Sequence, residues 1–301
     1  MASGLGALTT VWGLLRDSSF AEIDEQIARP ARIAVVGASP AERQAIIEAL
    51  SHGGEVGIVG HDVDSPALEI QLERVGEIVR VRLVTPNDRA ADIVDLSSLD
   101  PAAIVTVLGP ALFDRLPLEA AGLGRRLPAL RDLAAAYQIR EYALLNAQIA
   151  AISNIPDVVP VLGPFIAGVA EMLILTKNQI MMVYKLGATY GRPLGDKKAI
   201  LAETVTILGA AYVWRLLARQ LVGVAPFGLG IVPKVAIAYI GTYVEGRTAQ
   251  YYFLTGAPPP QELVSRFLAE AKGAAQRVLL RRTRRGASEQ TAIVTSAPFD
   301  R

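Results

Sequence analysis

The sequence IPDVVPVLGPFIAGVAEMLILTKNQIMMVYKLGATYG, residues 155–191, begins the part of the chain that decides its fold. An RPLGDKK turn follows it, and two further apolar blocks lead to GTYVEGRTAQYYFLTG, which ends at Gly256. Long apolar runs that are separated by glycine, proline and polar turns are typical of buried helices. We therefore predict an apolar helical domain over residues 155–256.

The length of the apolar blocks leaves two environments open for these helices. A membrane-spanning helix needs about 20 apolar residues, whereas the blocks at 158–175, 199–214 and 220–244 contain 18, 16 and 25 residues with one charge each. In one interpretation the helices form a hairpin that enters or crosses a bilayer. In the other they form a soluble core or a dimer interface.

The few charges in these blocks predict a buried ion pair. A charged side chain in the middle of a membrane helix costs roughly 2.5–3.5 kcal/mol on insertion scales, and pairing inside a bundle removes much of that cost. Glu171 has Lys234 or Arg215 as a candidate partner. Small residues also permit close helix contact in either environment; they are Gly163, Gly168, Gly187, Gly209 and Gly241.

The composition excludes several classes of protein. Cysteine is absent, which excludes disulfides and thiolate metal sites, and two histidines argue against a histidine-built metal site. The net charge of +1 gives no reason to expect nucleic acid as a partner. The N-terminal sequence MASGLGALTTVWGLL lacks the basic start of a signal peptide, so we expect the protein on the cytoplasmic side.

Residues 31–110 predict a small α/β domain. ARIAVVG is a buried strand, and PAERQAIIEAL is a helix with Pro40 in its first turn. Further runs of strand length are EVGIVG, IVRVRLV, DIVDL and AAIVTVLG. Strands that alternate with helices favour a mainly parallel sheet, and the first strand–loop–helix is where such a sheet holds a nucleotide.

The remaining segments predict helices around these two domains. Spacings of three and four residues between apolar side chains indicate a long linking helix over 111–154 and an amphipathic helix from Gln261. The predicted divisions are an N-terminal helical segment (1–30), the α/β domain (31–110), the linking helix (111–154), the apolar domain (155–256), an amphipathic basic helix (257–285) and a disordered tail (286–301).

The loop GASPAERQ, residues 37–44, stands at the position of a GxxxxGK[ST] phosphate loop. Glu42, Arg43 and Gln44 replace the second glycine, the lysine and the hydroxyl of that motif. A carboxylate beside phosphate and an amide at the magnesium position predict that this loop does not hydrolyse nucleotide. If GTP and magnesium are nevertheless bound, the binding residues are Gly37, Ala38, Ser39, Arg43 and Gln44.

The C-terminal region carries a cluster of arginines, in the sequence RVLLRRTRRG. Near an anionic membrane each basic residue contributes about 1 kcal/mol of attraction, but cations also suit a solvated helix end. Beside an apolar domain, we interpret the cluster as a candidate lipid-facing patch. Its members are Arg277, Arg281, Arg282, Arg284 and Arg285.

Three segments carry a resemblance to a known family: IPDVVPVLGPF, KNQIMMVYKLGATYG and GLGIVPKVAIAYIGTYVEGRTAQYYF. Over about residues 150–256 they resemble the YcjF-like family (domain of unknown function 697). The resemblance implies a helical domain behind an Era-like GTPase domain, and association with a membrane. ARIAVVGASPAERQAIIEAL looks like the first strand, P-loop and first helix of such a GTPase, here in reduced and degenerate form.

These observations together predict a non-catalytic, membrane-associated scaffold or interaction protein that self-associates through its helical domain. Two alternatives stay open at this point. One is a GTP-binding switch of the Era-like class with an atypical P-loop, and the other is a soluble helical interaction module.

Overall fold

The computed structural model describes residues 19–86, 88–152, 164–195 and 231–277. These residues form an α/β protein, as predicted. The strands are β1 (Ile33–Gly37), β2 (Val59–Gly60), β3 (Leu68–Val75), β4 (Ile78–Thr85) and β5 (Asp88–Leu96). The helices are α1 (Ser19–Ala28), α2 (Pro40–Ser51), α3 (Pro101–Arg115), α4 (Ala120–Arg126), α5 (Arg131–Ile152), α6 (Pro164–Thr189), α7 (Ile231–Thr255) and α8 (residues 261–277), with a 3-10 turn (Pro128–Leu130) before α5.

The sheet is mixed, so the prediction of a mainly parallel sheet is wrong. The strand order is β2-β1-β3-β4-β5, with β1 parallel to β2 and β3 and the remaining pairs antiparallel. Only Gly76 and Glu77 separate β3 from β4, and Gly76 has φ +61°. A two-residue connection of this kind joins antiparallel strands, because a parallel crossover needs a dozen residues or more.

The central strand β3 is the element that the sequence analysis missed. Its sequence LEIQLERV alternates apolar and polar residues, and Leu68, Ile70 and Leu72 are buried. This alternation is the signal of a strand with one covered face. The covered face packs against α2 and α3. On the opposite face, Ile93 of β5 is 60% exposed beside Arg82 of β4.

The run AAIVTVLG, interpreted above as a strand, lies inside helix α3. Asp100 caps this helix by accepting hydrogen bonds from the amides of Ala102 (3.2 Å) and Ala103 (3.3 Å), and Pro101 occupies the first turn. An Asp–Pro pair of this kind is a helix-start signal that outweighs the β-branched composition. The predicted boundary at residue 110 therefore falls within a helix, and residues 111–152 form several helical pieces rather than one.

A helical bundle follows the sheet, as predicted. We call its helices, α5, α6, α7 and α8, the helical unit. Helices α5, α6 and α7 pack against one another, and α8 covers the side formed by α5 and α7. Phe267 and Ala271 of α8 are buried against Ala143 and Ala147 of α5 and Tyr239 of α7. Among the described residues no helix has both the length and the apolar character needed to cross a bilayer.

The N-terminal helix α1 packs on the helical unit rather than on the sheet. Phe20 meets Tyr184 of α6 edge to face, with ring centroids 4.8 Å apart, and Ala121 of α4 lies in the same cluster. The Tyr184 hydroxyl also donates a hydrogen bond to Asp24. Helix α1 thereby bridges α4 and α6.

Three arginines close to one another in sequence bind main-chain carbonyls at the ends of other helices. Arg125 reaches the end of α6, Arg126 reaches the end of α1, and Arg131 reaches the end of α4. The acceptors are Ala188 (2.9 Å) and Arg192 (2.8 Å) for Arg125, Ile27 (2.6 Å) and Ala28 (2.7 Å) for Arg126, and Gly124 (3.1 Å) and Arg125 (3.3 Å) for Arg131. We call these three residues the arginine junction.

Close approach of the three bundle helices depends on Gly246 of α7. A methyl group there would lie 2.7 Å from Ile139 Cγ1 and 3.0 Å from Met182 Sδ, both of which are fully buried. We expect Gly246→Ala to lower the free energy of unfolding by about 1–3 kcal/mol, because the overpacked core must move apart. Urea unfolding followed by circular dichroism measures the change.

The matched control is Gly241→Ala in the same helix, where an added methyl meets no described atom within 4 Å. The greater helix propensity of alanine should raise stability there by up to about 1 kcal/mol. Equal effects of the two substitutions would show that Gly246 is not a point of close packing.

Candidate functional site

The loop after β1 is shaped by its approach to β3. Gly37 has φ +81°, and a Cβ there would lie 2.4 Å from the main-chain oxygen of Leu72. Ala38 also has a positive φ, of 45°. Glycine is therefore required at position 37 by sheet packing, whether or not the loop binds a ligand.

Ser39 and Glu42 form a capping box at the start of α2. The Glu42 carboxylate accepts hydrogen bonds from the Ser39 amide (2.8 Å) and the Ser39 hydroxyl (2.7 Å), while the Glu42 amide donates to the same hydroxyl (3.3 Å). Arg74 of β3 pairs with the carboxylate at 2.7 Å. The Ser39 amide above all, then its hydroxyl, and also Arg74 hold the pKa of Glu42 below its ordinary value, so the carboxylate is ionised at neutral pH.

Arg43 and Gln44 also bind groups of the protein. Arg43 Nη1 donates to the main-chain oxygens of Gly37 (2.8 Å) and Ala38 (2.9 Å). The Gln44 amide donates to Glu48 (2.7 Å), and its oxygen lies 3.3 Å from His61 Nε2. The five residues predicted to hold nucleotide therefore lie in the loop after β1 and at the start of α2. The side chains of Ser39, Arg43 and Gln44 bind other groups of the protein.

The other sequence-predicted residues are described only in part. Lys234 lies in the first turns of α7 and is half-buried. Glu171 belongs to α6, but its side chain and the whole of Arg215 lie outside the described residues, so the predicted charge pair stays a prediction. Arg277 is exposed at the end of α8, and the arginines at 281, 282, 284 and 285 lie outside the described residues.

Glu245, which the sequence analysis did not select, is a buried carboxyl group in the helical bundle. This residue of α7 is 5% exposed, and neither carboxylate oxygen has a hydrogen-bond partner. Burial away from water raises the pKa of Glu245 to about 8, because the charged form is disfavoured in an apolar interior. In the sequence, Glu245 stands in a run of small and aromatic residues, and this was the signal that could have predicted its burial.

A ladder of polar side chains crosses the same bundle. Asn146 of α5 donates to Thr242 of α7 (2.8 Å) and accepts from Asn178 of α6 (2.8 Å). Nearer the arginine junction, Gln138 donates to Thr189 at 3.0 Å. These hydrogen bonds fix the register of the three helices, since a shifted helix would leave buried polar groups without partners.

A cleft of about 470 Å³ opens between α5 and α6. Its walls combine apolar side chains with lysines and amides. The lining residues are Pro117, Leu118, Ala121, Tyr137, Gln138, Glu141, Tyr142, Leu144, Leu145, Gln148, Lys177, Asn178, Met181 and Lys185. We call this feature the α5–α6 cleft. It is the second candidate site, and no sequence motif marked it, because its residues come from separate helices.

Lys185 is the most perturbed cation of the α5–α6 cleft. Its ammonium lies 5.8 Å from the centroid of the Tyr142 ring. Burial lowers the pKa of Lys185, and burial also raises the pKa of Tyr142 to about 12. Shifts of this kind in a concave site mark candidates for ligand binding.

Comparison with protein-family models, with curated proteins and with solved structures gives no match to this chain. The resemblance to the YcjF-like family and to Era-like GTPases therefore stays a prediction. Function has to be argued from the two sites themselves.

The buried carboxyl group of Glu245 predicts a pH-dependent stability. Between its ordinary pKa of 4.5 and the folded-state value of about 8, the unfolded chain releases a proton that the folded protein keeps. The stability that this group contributes is complete below pH 4.5 and is lost as pH rises to about 8. We expect Glu245→Gln to remove a slope of about 1.4 kcal/mol per pH unit from the free energy of unfolding.

Urea unfolding of wild type and Glu245→Gln at several pH values between 4.5 and 8.5 measures this slope. Glu77→Gln changes an exposed residue of the β3–β4 turn and should follow the wild-type profile. Parallel profiles for wild type and Glu245→Gln would show that Glu245 is not protonated in the folded protein.

Proposed function

We propose that this chain is a non-catalytic scaffold that self-associates through its helical unit and binds a membrane surface on the cytoplasmic side. One observation carries the non-catalytic part of the proposal: the Glu42 carboxylate accepts a hydrogen bond from the Ser39 amide at the amino-terminal end of α2, at 2.8 Å. That amide lies where a phosphate would bind if this were an active P-loop.

Electrostatics at the start of α2 oppose a bound phosphate. The amino-terminal end of a helix attracts anions through its free amides and its dipole. In this chain an ionised carboxylate of the protein already takes that place, and Arg74 neutralises it. A nucleotide phosphate would have to displace Glu42 and would meet its negative charge.

Arg43 does not replace the missing lysine in this arrangement. A P-loop lysine reaches out to the β- and γ-phosphates, whereas the Arg43 guanidinium folds back onto the carbonyls of Gly37 and Ala38. The Arg43 side chain therefore binds main-chain carbonyls of the loop itself. This geometry favours the scaffold over the GTP-binding switch.

Surface features of the helical unit support the association part of the proposal. Ile174 of α6 is 48% exposed, and Ile237 and Leu254 of α7 are 42% and 55% exposed. Contiguous exposed apolar patches mark contacts between protein molecules, and these three side chains are the candidate members of such a patch. Arg277 is exposed at the end of α8, where the basic cluster at 277–285 begins and can meet anionic headgroups.

The closed loop predicts that nucleotides do not bind. Thermal unfolding of the protein with GTP or ATP plus magnesium, or with coenzyme A, should give the same Tm as the protein alone. A ligand that binds only the folded state stabilises it by an amount that grows with the logarithm of the ratio of ligand concentration to Kd, and so raises Tm. The absence of a shift at ligand concentrations far above micromolar therefore excludes micromolar binding. A saturable increase of several degrees at micromolar GTP that disappears in Arg43→Ala would contradict the proposal.

The basic cluster predicts salt-sensitive binding to anionic vesicles. The protein should float with phosphatidylserine-containing vesicles at low salt, and a chain that lacks residues 277–285 should float several-fold less. Ionic strength above about 0.5 M should reduce flotation, because attraction between exposed charges is screened. Vesicles of phosphatidylcholine alone are the control, and equal flotation with and without the cluster would rule out its role.

A further inference from the structure

We propose that the α5–α6 cleft binds a small amphipathic carboxylate that also carries a hydrogen-bond donor, such as a hydroxylated medium-chain acid. The cleft has about 470 Å³ of space, within the range of small-molecule sites. This inference does not depend on the proposed scaffold function, because the cleft lies in the helical unit and shares no residue with the loop after β1.

The requirement for a donor comes from Gln138. Its side chain is 4% exposed and lines the cleft. The amide nitrogen donates to the main-chain oxygen of Ala134 (3.1 Å) and to the hydroxyl of Thr189 (3.0 Å), while Oε1 has no hydrogen-bond partner. A buried acceptor that is left without a donor is costly, and a ligand hydroxyl or N–H can supply that donor.

The orientation of this amide is fixed by its surroundings. The Thr189 hydroxyl donates its own proton to the main-chain oxygen of Lys185 at 2.8 Å. It therefore accepts from Gln138, as does the Ala134 carbonyl. Turning the amide over would place its oxygen against two acceptors, so Oε1 must remain the unsatisfied group.

The requirement for a carboxylate comes from Lys185 and Lys177. No described carboxylate lies within ion-pair distance of either ammonium group, and Lys185 is set over the Tyr142 ring. Among the described residues of the lining, Glu141 is the only acidic one, and it pairs with Arg140 at 3.3 Å. The cleft therefore presents an excess of positive charge in a partly desolvated place, where a ligand anion is favoured.

The unsatisfied oxygen of Gln138 and the ammonium groups of Lys185 and Lys177 follow an order along the cleft. Thr189, the partner of Gln138, is one helical turn from Lys185, so the orphan oxygen and this ammonium lie at the same end. Lys177 is two turns away, about 12 Å along α6. Between them the walls are apolar, through Leu145 and Met181. A ligand whose carboxylate and donor lie at the Lys185 end and whose apolar chain runs along Leu145 and Met181 matches this order. Lys177 attracts the carboxylate only from a distance.

Three probes separate the features of the ligand: 3-hydroxyoctanoate, octanoate and 1-octanol. Isothermal titration of the full chain should give the tightest binding with 3-hydroxyoctanoate. Octanoate should bind about tenfold more weakly, because Oε1 of Gln138 stays unsatisfied, and 1-octanol should be weaker again, because it lacks the charge. Equal affinities for the three probes, or no binding of any of them up to millimolar concentration, would overturn the proposal.

Two substitutions locate the site. Gln138→Met should remove the preference for the hydroxylated acid and leave octanoate binding within about twofold of wild type. Lys185→Met should weaken both acids at least tenfold and bring them close to 1-octanol. Lys272→Met, on α8 outside the cleft, is the matched control and should change nothing. Unchanged binding in both cleft variants would place the ligand elsewhere and overturn the proposal.

A measurement on the unmodified protein keeps the test decisive if a variant does not fold. Acetic anhydride labelling, read by mass spectrometry, should modify Lys185 several-fold more slowly when 3-hydroxyoctanoate is bound. Lys272 should react at the same rate in both samples. Equal protection of all lysines, or none at Lys185 at a saturating concentration of the acid, would overturn the proposal.

Discussion

The arginine junction is the interaction on which the rest of the structure depends. The last carbonyls of a helix have no partner within the helix and carry partial negative charge. Arg125, Arg126 and Arg131 satisfy such carbonyls at the ends of three helices, since each guanidinium presents several donors in a fixed geometry. Arg126 also pairs with Glu55 near the sheet at 3.2 Å. One short segment therefore sets α1, α4 and α6 relative to the sheet, and with them the walls of the α5–α6 cleft.

The helical unit departs from a purely apolar core at a few defined points. Asn146 donates to Thr242 and accepts from Asn178, and such a buried hydrogen-bonded set favours a single packing of the helices. Glu245 and Gln138 keep atoms without partners. Natural proteins concentrate such local conflicts at functional or strained sites, so Glu245 and Gln138 mark candidate sites of the helical unit.

The loop after β1 has the chain position of a phosphate loop but lacks the side chains of that motif. Its place in the chain, after a buried strand and before a helix, is that of a phosphate loop. Its side chains satisfy the same amides and carbonyls that a phosphate and a cation would otherwise contact. Ser39 and Glu42 cap the helix, and Arg43 covers the loop oxygens. The Ser39 amide and the carbonyls of Gly37 and Ala38 are thereby bonded to side chains of the protein.

The sequence by itself determined the α/β class, the first strand and helix, β4, and the helical bundle with its covering helix α8, because apolar periodicity and turn residues act over short distances. It also predicted, from the carboxylate of Glu42 and the amide of Gln44, that the loop after β1 does not hydrolyse nucleotide, and this stays a prediction. Asp100 and Pro101 mark AAIVTVLG as a helix in the sequence itself, although the prediction did not use that signal. Only the tertiary structure decided the parallel pairing of β1 with β3, the burial of Glu245 and the existence of the α5–α6 cleft. Gln138 and Thr189, for example, are 51 residues apart. What surrounds a side chain depends on such distant segments meeting, and no local pattern records which segments will meet.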